Sequence, residues 1–176
     1  MSPLSENFTI ALTTQNQVQQ TSQVLSEAVA WMTERNNSLW QANEVTPAAI
    51  EQDVLAGRYH QVSLKAGAVA VFKLDVTDST YWPESSPNDA LYVHRIAVLR
   101  SHAGFGIPSL IINYAEQFAL RLEIDRLRLD CQRSRTKLRH LYEGLGFTFH
   151  SNIDLTDYHG ARYERILSLR PSSISS

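Results

Sequence analysis

The sequence predicts an α/β fold, in which a mixed central sheet carries helices on both of its faces. The first observation behind this prediction is Ala90–Val98, a run of strand-forming residues without a breaker. The second is the turn at residues 103–108, which contains two glycines. The third is a set of apolar residues that recur with a period of about 3.6, as in an amphipathic helix. These are Leu110, Ile111, Tyr114, Ala115, Phe118, Ala119 and Leu122.

The other elements follow from the same kinds of pattern. Strands are predicted at Phe8–Leu12, Tyr59–Lys65, Ala68–Val76, Arg126–Cys131, Phe147–His150 and Arg162–Leu169. Helices are predicted at Asn16–Arg35, Thr46–Gly57 and Ser134–Leu145, the last with an apolar face of Leu138, Leu141, Tyr142 and Leu145. Thr46 and Pro47 fit the N-cap and the first helical position. The segment 77–89 is predicted to be a long loop.

Length and composition indicate one globular domain. The chain has 176 residues, of which 43% are hydrophobic, and this is sufficient for a packed core. We expect a single domain over residues 1–176, in which the small, polar residues 168–176 form a frayed tail.

Charge and cysteine content argue against several classes of protein. The formal net charge is −2, so no nucleic-acid partner is expected. The single cysteine, Cys131, cannot form an intrachain disulfide, which fits a reducing compartment. No run of about 18 apolar residues occurs, and the first residues lack the basic and apolar regions of a signal peptide. We therefore expect a cytoplasmic protein that has no membrane partner.

The glycine turn has the features of an anion-binding site. Glycines allow the backbone to fold tightly, and the start of a helix adds about half a positive charge. A phosphate group could bind at Gly104 and Gly106 without a catalytic side chain. Ser109 stands where a dinucleotide-binding GxGxxG motif would have its third glycine, so that motif is not formed. A plain tight turn would explain the two glycines equally well.

Two blocks of sequence resemble the GNAT superfamily of N-acetyltransferases. The first block comprises Tyr92–Val98, the glycine turn at 103–108 and the following helix as far as Glu116. The second joins the leucine-rich run 127–131 to Leu141–Phe147, which reads Leu-Tyr-Glu-Gly-Leu-Gly-Phe and is the more specific part. The resemblance covers residues 90–150, and the earlier residues match only in the order of their elements.

The resemblance implies a fold and a cofactor. The family's central sheet is mixed and splays between its fourth and fifth strands, here Ala90–Val98 and Arg126–Cys131, and acetyl-CoA lies in that gap. The implied cofactor-binding residues are Ile96, Ala97 and Val98 for the pantetheine arm, Ala103, Gly104, Phe105, Gly106, Ile107 and Ser109 for the pyrophosphate, and Arg135 and Tyr142. The chain departs from the family pattern at Ala103, where Arg or Gln is usual, at Pro108, where a small residue is usual, and at Arg135, where Asn is frequent.

The resemblance also suggests two catalytic residues. Tyr142 matches the tyrosine that in many members protonates the coenzyme sulfur, although its place on an apolar stripe is also that of a core residue. His94 lies where the family often has a carboxylate base, and a packed structural histidine is the alternative reading. Asp75, at the end of the preceding strand, is another candidate base. Cys131 is predicted to be a buried apolar residue and not a nucleophile.

The acceptor pocket is expected in the less recognisable half and in the loop 77–89. Aromatic surface would come from Trp31, Trp40, Tyr81, Trp82 and Tyr92. Negative charge for an amine would come from Glu84 and Asp89. The six histidines show no metal-ligand spacing with a carboxylate or cysteine, so no metal site is predicted.

Residues and resemblance together predict an acyl-CoA-dependent N-acetyltransferase. It would move an acetyl group from acetyl-CoA directly to an amine of a small molecule or peptide. One alternative is a CoA-binding or regulatory module without catalysis, and another is an acyltransferase for a longer acyl-CoA. The sequence leaves the acceptor and the oligomeric state open, and a homodimer is compatible with it.

Overall fold

The computed structural model describes residues 7–36, 40–65 and 67–168. In these residues the strands are β1 (Phe8–Leu12), β2 (Tyr59–Leu64), β3 (Gly67–Asp75), β4 (Leu91–Val98), β5 (Arg126–Gln132), β6 (Thr148–Leu155) and β7 (Tyr158–Ile166). The α-helices are α1 (Val18–Thr33), α2 (Pro47–Leu55), α3 (Ile107–Arg121) and α4 (Thr136–Gly144). None of the helices in these ranges is both long and apolar enough to cross a membrane.

The strands form one mixed sheet in the order β1-β2-β3-β4-β5-β7-β6. The pairs β1–β2, β2–β3, β5–β7 and β6–β7 are antiparallel. The pair β4–β5 is parallel, and its register sets Leu91 opposite Leu127 and Tyr92 opposite Arg128. The predicted mixed α/β sheet is therefore confirmed.

The last hairpin is longer than predicted. The sequence indicated short strands at Phe147–His150 and Arg162–Leu169, whereas β6 and β7 extend to a turn at Thr156 and Asp157. The extension is a run in which half-buried residues such as Ile153 and Leu155 alternate with exposed ones. Such alternation is typical of a strand with one covered face. Leu169 and the predicted tail beyond it lie outside the described residues.

The chain divides into two compact units, and each is described by itself. The first comprises Met1–Leu74 and His94–Ile111. Its core includes Leu25 and Val29 of α1, Ile50 and Val54 of α2, and Val71 of β3. The Ser22 hydroxyl donates a hydrogen bond to the Val45 carbonyl at 2.7 Å, which satisfies both buried groups. As predicted, Thr46 caps α2, and its hydroxyl accepts from the Ala49 N–H at 3.2 Å.

The second unit comprises Asp75–Val93 and Ile112–Ser176. Helix α4 is attached to β7 through one phenol, because the Tyr163 hydroxyl accepts from Arg139 Nε at 2.9 Å and donates to Glu143 Oε1 at 3.0 Å. The part of α3 in this unit is attached to β7 by the Arg165–Glu116 ion pair, at 2.9 Å. The Tyr163 contacts therefore hold α4, the helix that carries Tyr142, against β7.

Three leucines predicted on apolar stripes are exposed. Leu110 is 37% exposed, Leu122 48% and Leu141 41%. The buried stripe of α3 is narrower than predicted and consists of Ile107, Ile111, Ile112, Ala115 and Ala119. A helix turns by about 100° per residue, so a leucine one position from this stripe lies on its flank. Leu122 follows the end of the helix.

Replacing the cap of α2 should destabilise the protein measurably. Thr46→Ala leaves the Ala49 N–H without its side-chain acceptor, which costs about 1 kcal/mol. For a chain of this size the melting temperature should fall by roughly 2–4 °C. Thr46→Ser is the matched control, because serine is an equally good N-cap. Equal melting temperatures for the two variants in a thermal scan would contradict the role of the cap.

Candidate active site

The predicted phosphate-binding turn lies in the first unit and is open. Gly104 and Gly106 have φ angles of +85° and +74°, which residues with a Cβ adopt only at a cost. A Cβ built at either position meets nothing within 4 Å. In the described part of the chain, the N–H groups of Gly104, Phe105 and Gly106 donate to no other backbone group. The turn therefore offers a run of exposed donors just before α3.

The side chains around this turn differ in exposure. Phe105 is half exposed, and its ring lies against that of His102 at a centroid distance of 5.8 Å. Ala103 and Ser109 are also exposed, whereas Ile107 is fully buried. Ile107 therefore has only its backbone available for a ligand.

Strand β4 is irregular next to His94. Arg95 has a φ angle of +53°, in the left-handed region, which costs a non-glycine residue about 1–2 kcal/mol. Burial does not alternate along the strand, because residues 91–93 are all buried and residues 94–96 are all half-buried. A regular strand would place His94, Ile96 and Val98 on one face, and the conformation of Arg95 interrupts that alternation.

His94 is a weak base in this environment. Burial lowers the pKa of His94 to about 4, and the nearby charges of Lys73 and Arg95 act in the same direction. The imidazole is therefore neutral at pH 7 and binds a proton less tightly than an ordinary histidine, whose pKa is about 6.5.

Trp31 contacts cations of its own unit. The guanidinium carbons of Arg35 and Arg100 lie 4.2 Å and 4.3 Å from the centre of its ring. The backbone N–H of Arg100 also donates to Glu27 Oε1 at 3.0 Å, which ties that end of β4 to α1. The half-buried Trp31 is thus stacked with arginines, and its predicted contact with an acceptor stays a prediction.

Tyr142 is buried in the second unit with a protonated hydroxyl. Its ring packs near those of Phe147 and Tyr163, at centroid distances of 6.2 Å and 6.3 Å. Burial raises the pKa of Tyr142 well above its ordinary value, and the nearby acidic groups of Cys131 and Asp130 act in the same direction. Within the described ranges its hydroxyl makes no hydrogen bond. Packing therefore holds the ring, and the hydroxyl has no acceptor among the described residues.

Cys131 and Arg135 both precede α4 in the chain. Burial raises the pKa of the Cys131 thiol to about 11, so the group stays protonated and non-nucleophilic at pH 7. This agrees with its prediction as a buried apolar residue. Arg135 is the N-cap residue of α4, and burial lowers its guanidinium pKa.

Trp82 is a packing residue of the second unit, contrary to its predicted role as acceptor surface. It is fully buried, so its ring has no surface with which to contact an acceptor. The guanidinium carbons of Arg128 and Arg162 lie 4.4 Å and 4.5 Å from the centre of its ring. Tyr92 is also fully buried, and its hydroxyl accepts from Arg128 Nη1 at 3.4 Å. Sequence could not show this, because the two arginines come from distant strands.

The same two arginines attach the loop 77–89 to the sheet. Arg162 Nη1 donates to the Tyr81 carbonyl at 3.1 Å and to Glu84 Oε1 at 2.7 Å. Arg128 donates to the Ser85 hydroxyl at 2.7 Å. Glu84, which was predicted to supply negative charge for an amine, is thus paired with an arginine of the protein.

Asp130 and Tyr158 are the residues that sequence reasoning missed. The Tyr158 hydroxyl donates to Asp130 Oδ2 at 2.5 Å, and the ring of Tyr81 lies edge-on to Tyr158 at 5.1 Å. Burial raises the pKa of Asp130 to about 6; the Tyr158 hydrogen bond opposes this shift, and the charge of Asp78 adds to it. Asp130 alternates with Leu129 and Cys131, a sequence pattern that predicts a solvent-facing position.

Comparison with known proteins identifies a family. The Acetyltransferase (GNAT) family is matched by residues 29–147. The uncharacterized N-acetyltransferase YesJ of Bacillus subtilis is 27% identical over 153 residues, which cover 77% of this chain and 78% of that protein. A streptothricin acetyltransferase of Escherichia coli is 32% identical over 74 residues, which cover 42% of each protein.

Solved structures share the fold. A GNAT family acetyltransferase from Listeria monocytogenes has a TM-score of 0.78 and 20% identity, and the match covers 95% of this chain and 99% of that one. The PaiA N-acetyltransferase of Thermoplasma acidophilum, solved in complex with coenzyme A, has a TM-score of 0.73 and 12% identity. That match covers 91% of this chain and 99% of the other.

Replacing each of the two tryptophans with alanine should show which side chain stabilises the fold by packing. Trp82→Ala leaves a cavity between two arginines and should cost about 3–5 kcal/mol of unfolding free energy. Trp31→Ala is the matched control and should cost clearly less, because Trp31 is only half-buried. Urea unfolding of both variants measures the difference. A loss for Trp82→Ala no larger than that for Trp31→Ala would contradict the packing role.

Proposed function

The chain belongs to the GNAT acetyltransferase family, and from this we propose that it transfers the acetyl group of acetyl-CoA directly to an amine. The observation that carries the proposal is the open glycine turn before α3, whose N–H groups donate to no backbone acceptor among the described residues. We favour a small-molecule amine as acceptor, because one relative is a streptothricin acetyltransferase. A peptide amine is the second acceptor class.

The turn supplies what a pyrophosphate needs. Backbone N–H groups at residues 104–106 donate to phosphate oxygens, and the positive end of the α3 dipole favours the anion. The backbone groups of Ile96 to Val98 would hold the pantetheine arm, as the family resemblance implies. Pro108 has no N–H, so the first turn of α3 offers one donor fewer than usual. A relative solved with coenzyme A supports this choice of ligand.

Tyr142 supplies a hydrogen-bond donor for the leaving group. When the C–S bond of the thioester breaks, negative charge develops on sulfur, and a nearby hydroxyl stabilises it. The raised pKa keeps the Tyr142 hydroxyl protonated at neutral pH, as a donor must be. An ordinary thiol has a pKa of about 8.5, below that of this phenol, so Tyr142 regains its proton readily after delivering it.

A CoA-binding module without catalysis is the second candidate. It is favoured by Ala103, which stands where the family usually has Arg or Gln, and by Pro108 in the first turn of α3. Such a module would bind acetyl-CoA at the turn and release no CoA in the presence of an amine.

Adding acetyl-CoA should raise the melting temperature, and the glycine turn should be required for this. Gly106→Asp places a negative charge beside the phosphate and should abolish the shift, since only ligand bound to the folded state stabilises it. Gly57→Asp is the matched control, because Gly57 has a similar φ of +71° at the end of α2. Both variants place a side chain on a residue with a positive φ angle. A full shift in Gly106→Asp would contradict binding at this turn.

Removing the Tyr142 hydroxyl should reduce turnover without unfolding the protein. Tyr142→Phe retains the packed ring, so melting temperature and acetyl-CoA affinity should change little. Turnover should fall by about 10²-fold or more, as for loss of a general acid. Tyr163→Phe is the control, because its hydroxyl bonds Arg139 and Glu143 and its loss should mainly lower stability. Normal turnover in Tyr142→Phe would make Tyr142 a packing residue.

A further inference from the structure

Asp130 lies near the end of β5, on one face of the sheet in the second unit. In the β5–β7 register Asp130 is opposite Arg162, and Cys131 is opposite Ala161. Successive side chains of a strand point to opposite faces, so Asp130 shares its face with Arg128 and not with Cys131. This is the face on which Arg128 and Arg162 stack with Trp82. The loop 77–89 therefore covers Asp130 on the side of the two arginines.

The carboxylate of Asp130 has a dedicated partner. Tyr158 bonds it at 2.5 Å, and its ring reaches that position by lying over Gly160. A Cβ at Gly160 would be 2.5 Å from Tyr158 Cε1 and 2.9 Å from Ile153 Cγ2, so no larger residue fits without moving the phenol. The ring of Tyr81 packs edge-on against that of Tyr158, at a centroid distance of 5.1 Å. The geometry is that of a carboxylate held in one orientation.

We propose that Asp130 is the general base that removes a proton from the acceptor ammonium, and that Tyr158 is the residue that positions it. The proposal rests on the acetyl transfer proposed above and names the base for it. It assigns to Asp130 the role that the family resemblance suggested for His94.

The proton affinity of Asp130 suits the task. A general base works best when its pKa lies near the operating pH. The pKa of about 6 leaves Asp130 ionised at pH 7, yet makes it far more basic than an ordinary aspartate at about 3.9. His94, at about 4, binds protons less tightly. The charged and titratable groups that face Asp130 in its own unit are Tyr158, Asp78 and Arg162.

The reaction balances with these groups. Asp130 takes one proton from the ammonium and later returns it to solvent. The neutral amine attacks the thioester carbonyl, forming the C–N bond and a tetrahedral oxyanion. The C–S bond then breaks as the carbonyl re-forms, the sulfur leaves with the electron pair, and the Tyr142 hydroxyl gives it a proton. The second nitrogen proton, lost from the tetrahedral intermediate, restores Tyr142 through water.

The proton donor, Tyr142, thus lies on the side of one face of β5, and the proton acceptor, Asp130, lies on the other face. Tyr142 packs on Tyr163, which lies opposite Leu129 in the register and so on the same face as Cys131. Asp130 lies on the other face. This separation keeps the carboxylate from accepting the phenol proton directly, so each group can act on a different atom of the reaction.

The test is the pH dependence of kcat/KM for acetyl-CoA and the amine that the wild type acetylates fastest, chosen from a panel that includes streptothricin. The wild type should lose activity below about pH 6. Asp130→Asn should lower kcat at pH 7 by about 10²-fold or more, and activity should recover as pH rises, because free amine then needs no base.

Tyr158→Phe should shift the acid limb of the pH profile to higher pH, since the lost hydrogen bond stabilised the carboxylate. Gly160→Ala should reproduce that shift by displacing the phenol.

The control is Asp154→Asn, an exposed carboxylate paired with Arg133 and His159, which should leave the profile unchanged. The melting temperature distinguishes a catalytic role of Asp130 from a structural one. Because the folded-state pKa of Asp130 is raised, its ionised form weakens folding as pH rises through that value, so Asp130→Asn should melt no lower than the wild type at pH 7.

The possible failures are distinguishable. Normal activity in Asp130→Asn overturns the inference and leaves the proposed acetyl transfer intact. The same holds if the acid limb of the pH profile disappears in His94→Gln instead. If Asp130→Asn failed to fold, an unshifted limb in Tyr158→Phe would overturn it equally. If the wild type releases no CoA with any amine, the proposed function fails and this inference falls with it.

Discussion

The stacking of Trp82 with Arg128 and Arg162 is the interaction on which the second unit depends. A guanidinium over an indole ring contributes about 2 kcal/mol or more when water is excluded, and here two such contacts share one buried ring. Both arginines would be costly to bury without partners. Glu164 accepts from Arg128 at 2.7 Å, and the Ser151 hydroxyl accepts from Arg162, so the charges and donors are satisfied.

This stack determines where the loop 77–89 lies and what it covers. Because Arg162 also bonds the Tyr81 carbonyl, the ring of Tyr81 is brought against Tyr158, and Tyr158 in turn holds Asp130. Without the loop, Asp130 would be more exposed to water, and its pKa would lie closer to that of an ordinary aspartate. The basicity of that carboxylate is thus a consequence of tertiary packing several residues away.

The sequence predicted most of the fold, including the glycine turn before α3, because these features depend on local pattern. These features are properties of neighbouring residues, so the sequence shows them directly: strand propensity, the glycine turn and the helix start at Thr46–Pro47. Trp82 was misread because its exposure depends on arginines contributed by β5 and β7. Asp130 was missed because alternation with Leu129 indicates a solvent face unless a loop from elsewhere covers it. The positive φ of Arg95 has no residue-type signal, since arginine is not favoured there.

The central claim is direct acetyl transfer, and intact-protein mass spectrometry combined with thiol release tests it most directly. Protein incubated with acetyl-CoA alone should keep its mass and release no CoA. Adding an accepted amine should release one CoA for each acetylated amine formed. An acetyl group on the protein before amine is added, or CoA release that does not depend on amine, would contradict the account.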